Sequence, residues 1–211
     1  MFIAIEFVIY ISYLYLDITH NMTPLSSLLK FFAICLCFLM VSGTNHPVRK
    51  IMSLTVAADF LLVITPFYSL GIFFFILVQL NYYSYITKKA RFPLDHLTAM
   101  VIAGFIVSIL INFFVMPINF MTFLAVVYFI TLVTNIVLCL MQVKGNQEYA
   151  ILTICLILIM LCDIHVAITN VLSSGAWYNF GLIAMWLFYL PSQVIIAQLY
   201  STNSLIRRYP L

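Results

Sequence analysis

The chain has 211 residues, 65% of them hydrophobic and 7% charged, with a formal charge of +3. A soluble globular domain carries about 25% charged residues, so that class is excluded, and a mean hydropathy of +1.17 marks an integral membrane protein. The small positive charge is explained by where the basic residues fall, and no nucleic-acid partner is expected.

A transmembrane helix needs about 17–25 mostly apolar residues, because each rises about 1.5 Å through a hydrocarbon core about 30 Å thick. Eight segments meet or approach this: residues 2–16, 24–41, 51–65, 69–86, 97–115, 120–141, 149–172 and 180–200. The first and third are short, so tilt or flanking residues must complete the span. The runs are continuously apolar and lack the alternation of a lipid-facing barrel. The expected fold is therefore an all-α bundle of eight transmembrane helices in a single membrane domain, residues 1–211. Glu6 interrupts the first run and no basic segment precedes it, so this run is expected to remain in the mature protein.

Numbering the segments alternately places Arg49, Lys50, Lys88, Lys89, Arg91, Lys144, Arg207 and Arg208 on one side, eight of the nine basic residues. The ninth, Lys30, lies inside the second segment. The positive-inside rule then predicts both termini cytoplasmic.

Few ionisable residues fall within the runs: Glu6, Lys30, Asp59, Asp163 and His165. A charge at the bilayer centre costs about 2.5–3.5 kcal/mol on insertion scales, so such a residue faces the bundle interior and marks a site or an interhelical contact. Asp59 in the third segment and Asp163 in the seventh lie almost half the chain apart, an offset that hints at a four-plus-four duplication with parallel halves. Lys30, about one and a half turns into its helix, is expected either to snorkel to the interface or to hold one acid ionised. Glu6 is expected at the interface. His165 points about 200° away from Asp163 and is expected in an interhelical or rim contact.

The fourth segment adds Gln79 and Tyr82 on one face, and the eighth adds Tyr189 and Gln193 one turn apart. These are expected to ring a polar pocket around the two acids. The cysteines Cys35, Cys37, Cys139, Cys155 and Cys162 all lie in apolar runs and read as small core residues. There is no GxSxG elbow, HExxH helix or phosphate-binding loop, and neither metal nor cofactor is expected.

In chain order these features resemble the lysoplasmalogenase-like (YhhN-like) family of eight-span membrane proteins. LGIFFFILVQLNY, residues 70–82, is similar to that family's Leu-Gly, Phe, His, Tyr pattern through Leu70, Gly71, Phe75 and Tyr82, with Gln79 at the histidine position. ADFLL resembles Gly-Asp-x-x-Leu through Asp59, with Ala58 for glycine. CDIHVA resembles Ser-Asp-x-x-Leu-Ala through Asp163 and Ala167, with Cys162 for serine. YLPSQVII is similar to Tyr-Tyr-x-Ala-Gln-x-Leu-Ile through Tyr189 and Gln193, and Lys30 falls where the family has a lysine early in its second helix.

The resemblance implies hydrolysis of the vinyl ether bond of lysoplasmalogens to a fatty aldehyde and a glycerophospho-alcohol, in a bacterial inner membrane or a eukaryotic membrane of the endoplasmic-reticulum type. The expected partners are a lysophospholipid substrate and membrane lipids. Such a bond is cleaved by protonation at carbon followed by capture of the oxocarbenium ion by water, which requires one protonated acid and one base. Asp59 and Asp163 fit that division of labour. Lys30, Gln79, Tyr82, Tyr189 and Gln193 would bind substrate, although glutamine cannot carry a proton as histidine does. A proton-coupled carrier or lipid-binding protein is the alternative that two intramembrane acids leave open.

Overall fold

The computed structural model describes residues 1–20, 23–88, 94–114, 119–172 and 174–201. Among these, Lys89, Arg91, Arg207 and Arg208 do not appear, so four of the basic residues assigned to one side lie outside the described set. The described residues form helices α1 (Phe2–His20), α2 (Pro24–Ser42), α3 (Val48–Asp59), α4 (Tyr68–Ile86), α5 (Leu94–Phe114), α6 (Phe120–Gln142), α7 (Gln147–Val171) and α8 (Ala176–Tyr200), with a π-helical turn at Phe60–Ile64 continuing α3. Seven helices are long and apolar enough to cross a membrane, which makes the chain a multi-pass integral membrane protein. The exception is α3, where 12 α-helical residues begin with Arg49 and Lys50 in the first turn and pass into the five-residue π turn. The sequence expectation began this element at Ile51. Helix α1 also runs past Leu16 to His20, which brings Asp17 into the bundle.

The helix starts follow local chemistry. Thr23 caps α2 by accepting the Ser26 N–H at 3.2 Å, with Pro24 in the first turn where its missing N–H costs nothing. Asn119 and Asn146 cap α6 and α7 in the same way. Pro191 interrupts α8 and cannot donate to the Leu187 carbonyl one turn earlier. The Tyr10 hydroxyl of α1 donates to that carbonyl at 3.2 Å, so the backbone acceptor freed by the proline regains a partner.

Packing orders the helices into a closed ring, α2–α3–α4–α6–α7–α8 and back to α2, with α1 lying outside against α2 and α8 and α5 outside against α6. Shifting every helix by four maps this ring onto itself and exchanges α1 with α5. The arrangement therefore has the symmetry that the spacing of Asp59 and Asp163 suggests. Outward faces remain apolar, as Phe105, Ile106, Ile109 and Leu110 on α5 illustrate, which suits a lipid surround.

One close crossing joins α3 and its π turn to α4. A Cβ on Gly71 would stand 2.5 Å from the Leu62 Cγ and 3.3 Å from the Ala58 carbonyl oxygen, so only glycine lets α4 approach the π turn and the residue beside Asp59. Gly71→Ala should destabilise the protein by about 1–3 kcal/mol through overpacking. Gly43→Ala, which meets nothing within 4 Å, should leave stability nearly unchanged. Thermal unfolding of the two variants in detergent compares them directly.

Candidate functional site

All six ring helices send polar side chains inward. Asp59 is the last residue of α3 before the π turn, where the Thr65 N–H reaches back five residues to the Phe60 carbonyl at 3.2 Å. The wider turn changes the helical phase just beyond the acid, a distortion frequent at functional sites. Asp59 is buried, and its Oδ2 accepts the Tyr189 hydroxyl of α8 at 2.7 Å. Asp163 on α7 is half-buried, and its Oδ2 accepts the Tyr128 hydroxyl of α6 at 2.8 Å. Each acid thus has its own phenol donor.

The two acid–tyrosine pairs form one cluster. The Phe75 ring of α4 lies 5.8 Å from the Tyr128 ring and 6.4 Å from that of Tyr189, crossing the interior between helices that are not neighbours in the ring. The Cys162 thiol is within electrostatic reach of both carboxyls. Gln79 is buried with Asn135, whose Nδ2 donates to the Gln79 Oε1 and carbonyl oxygen, both at 2.9 Å. The Gln79 amide also stands against the Tyr128 hydroxyl. The residue at the resembled histidine position therefore touches the tyrosine that holds Asp163.

Other expected site residues lie elsewhere. Tyr82 is buried beside Cys139, Cys155 and Tyr85, and its hydroxyl has no hydrogen-bond partner. It shares a face with Gln79 but sits nearly one turn further along, outside the acid cluster. Gln193 is buried one turn beyond Tyr189, with Nε2 3.5 Å from the Ser192 Oγ and Oε1 unpartnered. His165 contacts its own helix through the Leu161 carbonyl and packs against the rings of Phe180 and Phe188 on α8, an interhelical contact.

Lys30 neither snorkels nor pairs with Asp59 or Asp163. Its Nζ is 2.7 Å from Asp17 Oδ2, with both side chains buried, and Ser26 donates to the other Asp17 oxygen. The ammonium also lies over the rings of Trp186 and Tyr13, at 5.1 and 5.6 Å. Trp186 packs edge-on against Tyr189 at 5.4 Å, so the ion pair supports the tyrosine that holds Asp59. Glu6 is buried against α2: it is 2% exposed, its Oε1 accepts from the Cys37 thiol at 3.7 Å, and its Oε2 has no partner.

Sequence reasoning missed Tyr128, Asn135 and Asp17. A buried amide in the run TLVTNIVLCL is the same signal that singled out Gln79, and Tyr128 lies seven residues before it on the same face. Asp17 escaped because the apolar run ends at Leu16.

Compared with protein-family models, curated proteins and solved structures, the chain has no match.

Breaking the buried ion pair from one side should be costly. Lys30→Met should destabilise by about 3–5 kcal/mol because it strands a buried carboxylate, whereas Lys30→Met combined with Asp17→Asn should recover most of that loss. Equilibrium unfolding of the single and double variants measures the difference.

Proposed function

We propose that the chain is a membrane-embedded hydrolase of the lysoplasmalogenase type, which cleaves the vinyl ether of a lysophospholipid using Asp59 and Asp163. The observation that carries this reading is the pairing of two aspartates on corresponding helices, each with its own tyrosine donor and both joined through Phe75. One carboxyl in its acid form gives its proton to the vinyl carbon; the other takes a proton from the water that attacks the oxocarbenium carbon. The resulting hemiacetal collapses to aldehyde and alcohol, its hydroxyl proton passing to the leaving alkoxide, and the base hands its proton to the first carboxylate, which restores both groups. Tyr189 and Tyr128 fix the Oδ2 atoms so that Oδ1 of each acid faces the reacting groups. Gln79 orients Tyr128 in place of a histidine, Lys30 acts through Trp186 and Tyr189, and Gln193 extends the polar wall for the headgroup. A single-chain lipid reaches such a site laterally from the bilayer.

In the same reading the rod formed by α3 and its π turn is the eighth span, and both termini are cytoplasmic. The described basic residues Arg49, Lys50, Lys88 and Lys144 support this, since all four lie at the α2–α3, α4 and α6–α7 ends that meet in the fold. A proton-coupled carrier is the second reading, favoured by Glu6, a further buried acid with an unpartnered oxygen.

Purified protein supplied with a lysoplasmenyl lipid should release aldehyde, and Asp59→Asn and Asp163→Asn should each abolish release while remaining folded. Tyr189→Phe should slow the reaction by about 10–100-fold, the worth of one hydrogen bond to a charged group. Full activity in either asparagine variant would remove that residue from the chemistry. Uptake driven by a pH gradient without product would favour the carrier.

Gln79→His separates two roles for that position. A faster rate is expected if proton transfer is limiting there, and an unchanged rate assigns Gln79 to orientation alone; turnover on the same lipid reads this out.

A further inference from the structure

A second site stands at the opposite end of α4 from Gly71. Tyr85 is about 15 Å further along the helix than Phe75, and there a cleft of about 400 Å³ is lined by Pro47, Ser84, Tyr85, Lys88, Asn146, Glu148 and Tyr149. It gathers residues from the α2–α3 connection, the end of α4 and the start of α7.

Two opposite charges line this cleft without forming an ion pair with each other. Glu148 is fixed in place: Tyr85 donates its hydroxyl to the Glu148 carboxylate, and the Glu148 N–H donates to Asn146 Oδ1 at 3.0 Å. Further aromatic rings pack around Tyr85, which holds that carboxylate. Tyr149 lies 6.5 Å from Tyr85, Tyr200 stands edge-on to Tyr85 at 5.8 Å, and His46 stacks on Tyr200 at 4.5 Å. Lys88 is exposed on the other side. A carboxylate among tyrosine rings suits an ammonium group, which gains from both the charge and the ring faces. A lysine held apart from it suits a phosphate.

We propose that this cleft binds a compound carrying a phosphate and an alkylammonium group a few bonds apart, with the ammonium at Glu148 and the tyrosines and the phosphate at Lys88. The ligand chemistry is shared by a phospholipid headgroup and by its water-soluble phosphoammonium fragment. The site is independent of the vinyl ether reading, since none of its residues belongs to the acid cluster.

Titration calorimetry of the full chain in a maltoside detergent tests this with phosphocholine and inorganic phosphate as soluble probes. Lysophosphatidylcholine and lysophosphatidylglycerol are compared in a parallel competition arm. Saturable phosphocholine binding is expected. Glu148→Gln should weaken it about tenfold while leaving inorganic phosphate unaffected, and Lys88→Met should weaken both. Both positions line the cleft rim, and unchanged thermal unfolding verifies that the variants are folded. Binding of the choline lysolipid alone, lost in Glu148→Gln, supports the site and assigns its ligand to the lipid; binding of soluble phosphocholine as well shows that the headgroup suffices. Absence of saturable binding by both choline compounds, or affinities unchanged in both variants, overturns the proposal.

Discussion

The fold depends on the expense of placing a carboxyl group among apolar helices, and on the few ways of offsetting it. A buried acid needs a hydrogen-bond donor or a cation at fixed distance. Asp59 and Asp163 each take a tyrosine hydroxyl, and Asp17 takes Lys30 and Ser26. Every one of these donors comes from a different helix than the acid it serves. The polar contacts therefore specify which helices are neighbours in a way that uniformly apolar faces cannot, because lipid tails solvate leucine as readily as another helix does.

The ring of six helices follows from those pairings together with close contacts at small residues. Gly71 brings α4 against the turn that follows Asp59, and Gly181, whose Cβ would stand 2.6 Å from the Thr169 methyl, brings α8 against α7. These crossings occupy related places in the two halves of the ring. The polar partners differ between the halves, since Asp59 looks to α8 and Asp163 to α6. An arrangement with near-symmetric scaffolding and unlike surroundings is a natural way to give two identical carboxyls different duties.

Much of the fold was legible in the sequence because a bilayer imposes one length and one polarity on each helix. The acids were legible for the same reason, as exceptions within apolar runs. What could not be read was which helices meet across the ring. The contact of α2 with α8 joins residues more than half the chain apart, and no local pattern encodes it. Lys30 was misread for a nearer reason: α1 runs past Leu16 and packs against α2, so Asp17 meets the ammonium first. Tyr128 was hidden because it is one of 13 tyrosines, most of which need no functional explanation. The third helix was obscured by its own geometry, since a π turn shifts the phase on which helical spacing arguments rely.

The placement of α8 in the ring also fixes an order of assembly. Tyr189, which serves Asp59, and Trp186, which covers the Lys30 ammonium, both arrive on α8, after the other seven described helices. Until α8 enters, the earlier helices must wait in the membrane with Asp59 lacking its phenol and the ring open between α2 and α7. Truncation before residue 186 would leave those groups without the partners that complete the bundle.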